Sequence, residues 1–345
     1  MFDNFHGNLG VVSTLERMIV QSRIPQTLLL AGREGVGKAT LARRFAASLL
    51  GGAGQFERDD LSLEHNLAIL AEREKWASEK RVDDPLLFAS HSDFVTFAPD
   101  GPLRQISIQQ MRLLKERAQF KPLRGAHRVF LIDRIDRANE QAANSLLKTL
   151  EEPPEHLIVF MTAENPYDLL PTIRSRSVPF QLAPLAPDQM AAFLRTRALN
   201  DSPRRLALAQ GSPGLAVSLD LEAYDKRRAS MLALLEAASR RTPFSAWVKH
   251  GESIAASKTE KLDFYLKLLY GLLEDMLALS VGAPREELRN SDVAPRLEAL
   301  SAAVSFDWIR RASARVDELA ALVRRNIQKG IALDALVLDL RRPAR

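Results

Sequence analysis

Gly32-Arg33-Glu34-Gly35-Val36-Gly37-Lys38 carries the residue types that hold a phosphate. Glycines let successive backbone amides turn inward on an anion, and a lysine meets the β- and γ-phosphates. A Ser or Thr hydroxyl directly after the lysine would hold magnesium, but that position is Ala39. Thr40 comes one residue later, and a helical step of about 100° turns it away from the metal. A second segment, Val129 to Asp136, reads as a buried strand followed by Asp133, placed for a magnesium-linked water. In ATP-hydrolysing sites the following residue is a glutamate that orients the attacking water. Here it is Arg134, which cannot accept a proton. Gly32, Gly35, Gly37, Lys38, Thr40 and Asp133 are therefore the candidate nucleotide-binding residues of a degenerate site. ATP or ADP could occupy it, no cofactor is required of it, and hydrolysis in the chain's own site is not expected. A Gly-rich turn capping a helix is the plainer alternative.

These residues must be positioned by alternating strands and helices. Short aliphatic or β-branched runs (Thr27 to Ala31, Phe94 to Phe97, Val129 to Ile132, Leu157 to Thr162, Val178 to Gln181) are separated by helical patterns. That alternation predicts an α/β domain with a parallel sheet. The phosphate loop would lie between the Thr27–Ala31 strand and a helix from Lys38 to Leu50. Ser107 is an expected N-cap of another helix, and Asp136 is expected to cap one over Ala138 to Leu150. Residues 51–90 read as an insertion, partly helical and without a strand. After Pro184 and Pro187 strands vanish, and small helices surround the turn Gly211-Ser212-Pro213-Gly214. Helical periodicity then runs from Tyr224 to Arg341, with breaks at Thr242-Pro243, Gly282 to Pro284 and Gly330. The expected domains are 1–183 (α/β), 184–222 (small helical lid) and 223–345 (helical).

Bulk properties narrow the classes. A chain of 345 residues exceeds one ordinary core, and 46% hydrophobic with 26% charged residues suits a soluble protein. With no cysteine there is no disulfide, thiol catalysis or Cys-ligated zinc. His65 and His91 stand too far apart to suggest another metal site, so none is expected. The start, Met1 to His6, lacks a basic stretch followed by an apolar run, which points to a cytoplasmic protein without a secretion signal. Leu262 to Val281 is interrupted by Lys267, Glu274 and Asp275 and reads as an amphipathic helix, not a membrane span. A net charge of +5 does not by itself indicate nucleic acid. Lys121, Arg124, Arg128 and Arg137 could track phosphates. The basic residues Arg310, Arg311, Arg315, Arg324, Arg325, Lys329, Arg341, Arg342 and Arg345 are interspersed with Asp307, Asp317, Glu318, Asp334 and Asp339, which reads as a solvated or inter-subunit helical face.

By composition Arg174 and Arg176 read as salt-bridging residues at a helix end. Their flanks add more. Asn139 to Pro154 reads NEQAANSLLKTLEEPP, a helix ended by a double proline, and Thr172 to Ser177 reads TIRSRS. Together with the altered loop and strand, these strings resemble the clamp-loader branch of the AAA+ ATPases, and within it the delta-prime type of bacterial DNA polymerase III subunit. The resemblance is dense from Phe5 to Phe180 outside the insertion and returns weakly over Gly211 to Ala216 and Asn326 to Leu340. It implies an AAA+ domain, a lid and a helical collar that oligomerises. It implies a hetero-pentameric ring with clamp-loader ATPase subunits and a delta subunit, with the sliding clamp and primer-template DNA met through that ring, and no membrane. It makes Arg176 an arginine finger acting in trans on a neighbour's ATP, with Ser177 in place of the motif's cysteine. Gly214 stands where the family's ATPase subunits carry a sensor arginine. Relatives with a four-cysteine zinc module between the nucleotide motifs differ here, because residues 51–90 hold none. The rival reading is an active AAA+ ATPase using Lys38 and Asp133, and a P-loop kinase or GTPase is disfavoured by the helical last third.

Overall fold

A computed structural model of the chain describes residues 2, 5–257, 260–323 and 327–342. Met1, Asp3 and Asn4 of the N-terminal reading and Arg324, Arg325, Asn326 and Arg345 of the C-terminal one lie outside the described residues. The fold divides into two compact units, the first running to Ser202 with Ala209–Ser218, the second Pro203–Leu208 with residues from Leu219 onward.

The first unit is built on a six-stranded sheet. Its strands are β1 (Thr27–Ala31), β2 (Phe88–His91), β3 (Phe94–Phe97), β4 (Arg128–Ile132), β5 (Leu157–Ala163) and β6 (Val178–Gln181), in the order β2-β3-β4-β5-β1-β6. All neighbours are parallel except β2, which runs antiparallel to β3 at the edge. Strands buried on both faces should be mainly apolar, and β1, β3, β4 and β5 are, with Thr27, Thr96, Arg128 and Thr162 as their polar members. Leu28, Leu30, Val129, Leu131 and Phe160 join Phe45 and Leu41 on one face, while Leu29, Phe130, Ile132 and Met161 join Leu114 and Leu146 on the other. This period of two sends one layer of helices to each side of the sheet.

The expected strands and the Lys38–Leu50 helix are where the pattern puts them. Ser107 caps the Ile108–Ala118 helix in a full capping box with Gln110. Two expectations fail. The residues 51–90 stretch does contain a strand start: beyond its helices Ala53–Phe56, Glu64–Arg73 and Ser78–Asp83, Phe88–His91 pairs with β3. Its Phe-Ala-Ser-His sequence has no β-branched residue, so only the tertiary pairing makes it a strand. Asp136 is not the helix cap. It lies in the 3-10 turn Ile135–Arg137, and Asn139, whose side chain accepts from Ala142 N–H at 2.8 Å, caps Glu140–Glu151.

Two buried arginines fasten the inserted helices to the sheet domain. Arg43 reaches Glu57 and Asp60, and Arg73 grips Asp100 through three hydrogen bonds of 2.8–3.1 Å and Asp84 at 3.1 Å. His65 is exposed, while the buried His91 accepts the Asp93 N–H at its Nδ1 at 3.1 Å.

The second unit is helical: Leu221–Ala238, Phe244–Ala256, Leu262–Ser280, Ala294–Ser301, Phe306–Val323 and Lys329–Leu340. Met231, Leu235, Trp247, Leu269, Leu272, Met276, Leu333 and Val337 share its core. No helix among the described residues is long and apolar enough to cross a membrane. The expected break falls just before Gly330: the last helix begins at Lys329 after the non-helical Ile327 and Gln328, and Gly330 is its second residue, where an added Cβ would come 2.9 Å from the Ala255 Cβ. The missing side chain lets this helix press against Phe244–Ala256, and Trp247 Nε1 donates to Asp334 Oδ1 across the same contact at 2.6 Å. Gly330→Leu should therefore lower the second unit's melting midpoint by several degrees, since overpacking costs about 1–3 kcal/mol. Calorimetry showing an unchanged or raised midpoint would contradict this account of the glycine.

Several basic residues of this unit are already paired. Arg315 meets Asp339 and Glu318 at 2.6 and 2.5 Å, Arg310 meets Asp307 at 3.3 Å, and Arg341 donates to the Ala237 carbonyl at 2.6 Å.

A nucleotide-like site and a separate arginine

The order β4-β5-β1 brings three carboxyl ends together, which is where open α/β sheets place their ligands. Gly32 follows β1, Asp133 follows β4 and Glu164 follows β5. The loop after β1 is held from several sides. Gly32 N–H donates to Ala163 O at 3.1 Å, and a Cβ at Gly32 would lie 2.4 Å from Leu182 O. Gly35 adopts φ +78°, its carbonyl accepts the Gly214 N–H at 2.8 Å, and a Cβ there would meet Leu215 N at 2.7 Å. Neither position could carry a side chain. The Phe5 ring lies against Gly37.

Lys38 opens the helix and is buried. Its ammonium donates to the carbonyls of Gly32 and Arg33 at 2.5 and 2.7 Å. Burial draws its pKa below the ordinary lysine value, against the opposing pull of Asp133 and Glu164. Gly37 offers the helix no side-chain cap, so first-turn amides are of the kind that can meet an anion. Ala39 supplies no hydroxyl. Thr40 Oγ1 accepts from Arg43 at 3.4 Å, on the side of the insertion and not of Asp133, as the helical step requires.

Across the cleft, Thr162 Oγ1 donates to Asp133 Oδ1 at 2.6 Å and accepts the Arg134 N–H at 2.7 Å. Arg134 is left-handed (φ 60°, ψ 56°), an uncommon and costly state for a side-chain-bearing residue. Its guanidinium bridges Glu34 of the loop, at 3.3 Å, and Glu164 after β5. Burial lowers the Arg134 pKa, but Glu34 and Glu164, followed by Asp136 and Asp133, more than offset it and leave it raised. Burial pushes Asp136 up in turn. The position that would orient an attacking water thus holds a cation, and two carboxylates of the cleft are bound to it. Glu34, Thr162 and Glu164 were not singled out from sequence. Their signal is a charge exchange, an arginine for an acid at 134 with acids at 34 and 164, visible only once the strands are adjacent.

The structure gathers Gly32, Gly35, Gly37, Lys38, Asp133 and Gly214 around this cleft, and it does not bring Arg176 there. Arg176 follows the short helix Pro171–Arg174. Its guanidinium donates to Thr172 O at 2.9 Å and to Glu151 Oε1 at 2.6 Å and is one-third exposed. Within the chain the ion pair expected at a helix end therefore exists for Arg176, whereas Arg174 lies over the Tyr167 ring at 5.0 Å. Arg128 is corrected as a phosphate-tracking candidate. It is buried, donates to the carbonyls of Arg117, Phe120 and Ser92, and lies 3.8 Å from the fully buried Asp93. Lys121 and Arg124 remain exposed.

Residues 7–186, more than half of the chain and the part that carries both motifs and Arg176, match the family model described as "DNA polymerase III, delta subunit". The chain belongs to this clamp-loader family of DNA polymerase III subunits. A delta' subunit of DNA polymerase III from Pseudomonas aeruginosa is 31% identical over 209 residues, 59% of this chain and 58% of that protein. A tau subunit from Escherichia coli is 29% identical over 226 residues, 63% of this chain and 32% of that one. The chain thus spans between a third and three fifths of these family members. A gamma subunit-related protein of Thermotoga maritima superposes over 96% of this chain and 98% of that one, at 17% identity and a TM-score of 0.49.

Proposed function

We propose that the chain is the non-hydrolysing, delta-prime-type member of a clamp-loader complex. It assists ATP-driven loading of a sliding clamp onto primed DNA and donates Arg176 in trans to the ATP of a neighbouring subunit. The observation that carries this reading is Arg134. A guanidinium that cannot take a proton stands at the water-orienting position and is bound by Glu34 and Glu164. Ala39 and Gly214 support it, since the one removes the magnesium hydroxyl and the other the sensor arginine.

The partners are ATPase subunits of the tau/gamma type and a delta subunit in a hetero-pentameric ring. The clamp is reached indirectly and DNA through the assembled ring. Arg176 has the right chemistry for its role: a planar, permanently charged fork that stabilises charge developing on a transferring γ-phosphate. Co-purification with such subunits, followed by ATP turnover with and without this chain, tests the assignment. Turnover should rise when the chain is present. A chain that neither joins the ATPase subunits nor alters their turnover overturns it.

A further inference from the structure

We propose that Arg134 is an internal brace that takes the structural place of a bound magnesium nucleotide, holding the phosphate loop in its closed form with no ligand. This rests on the reading of the site as silent and says how the silent site keeps its shape. In an active site the metal and phosphates tie the loop after β1 to the ends of β4 and β5. Here one guanidinium, rooted at the end of β4, makes the same connections, to Glu34 in the loop and to Glu164 after β5.

The aim of that side chain is built in. The left-handed backbone of Arg134 is fixed by its N–H donating to Thr162 Oγ1 at 2.7 Å, and Thr162 is itself anchored on Asp133 at 2.6 Å. On the loop side, Lys38 turns its ammonium onto the Gly32 and Arg33 carbonyls, and Gly35 O accepts the Gly214 N–H. The Lys38 ammonium and the Asp133 carboxylate, the groups that would meet phosphate and metal, thus each have a hydrogen-bond partner within the chain. A unit braced in this way presents Arg176 in one geometry whatever nucleotide its neighbours hold.

Hydrogen exchange on the full chain tests the brace. In the wild-type chain the Gly32 amide, bonded to Ala163 O, and the Gly214 amide, bonded to Gly35 O of the loop, should be protected without nucleotide, and magnesium-ATP should change their rates by less than twofold. Arg134→Ala should speed their exchange at least tenfold while the amides of β1, β4 and β5 keep their protection. The Glu34→Ala/Glu164→Ala double variant, which retains the arginine and removes its partners, should do the same. Loop rates within twofold of wild type in both variants overturn the brace, as does wild-type protection that forms only with magnesium-ATP. ATP turnover by the wild-type chain would strike the silent-site reading alone, and the exchange rates without nucleotide would still decide the brace.

Discussion

Changing Arg176 to alanine should leave folding and assembly intact and slow ATP turnover about a thousandfold at the subunit interface proposed for it, the scale at which arginine fingers act. Folding is spared because the side chain contributes little to it. Its partner Glu151 is about half exposed, and exposed ion pairs are worth roughly 0–1 kcal/mol. The same weakness lets the guanidinium leave Glu151 for a γ-phosphate, where the hydrogen bonds are charge-assisted and shielded from water. Arg176→Lys should restore only a small part of the rate, since an ammonium keeps the charge but loses the planar fork. Glu151→Ala should leave the rate at or above that of wild type. Single-turnover hydrolysis in the reconstituted complex reads all three, and an unchanged rate for Arg176→Ala removes the residue from its assigned role.

The second large effect is on stability. Asp93 is fully buried and accepts the Leu123 and Arg124 N–H groups, both at 2.8 Å, while standing 3.8 Å from Arg128 Nε. Burial lowers the Arg128 pKa, and Asp93 is the charge that opposes this. Asp93→Ala strands a buried guanidinium and two amides, a loss of about 3–5 kcal/mol. That is a large share of a typical stability of about 5–15 kcal/mol. The first unit's calorimetric midpoint should fall by roughly 10 °C. Asp93→Asn keeps an acceptor and should cost less. A fall of under about 2 °C for Asp93→Ala would show that the loop and Arg128 are held by other means.

The parts of the fold that local chemistry decides were readable in advance. Four strands are legible because burial on both faces makes them mainly apolar, the largely exposed Val178–Gln181 by its short apolar run alone, and Ser107 as a cap before an apolar stripe. The phosphate loop and the loss of its hydroxyl are equally local. What escaped depends on distance along the chain. Arg134 could be seen as a lost base, but not as a bridge, because Glu34 is 100 residues away and Glu164 is 30. Gly330 marks a helix boundary in the sequence, but its packing role is hidden there because its neighbour Ala255 belongs to another helix. Arg128 looked like a free cation because its countercharge, Asp93, precedes a different strand. Phe88–His91 has no β-branched residue and only Phe88 favours a strand, so the element depends on pairing with β3.

The central claim is that catalysis in this protein's setting lies at Arg176 and a neighbour's nucleotide, and not at Lys38. ATP turnover by the purified chain, compared with its Lys38→Ala variant, tests it most directly. The account predicts no release of phosphate above background from either protein. Turnover by the wild-type chain that disappears in Lys38→Ala would contradict it.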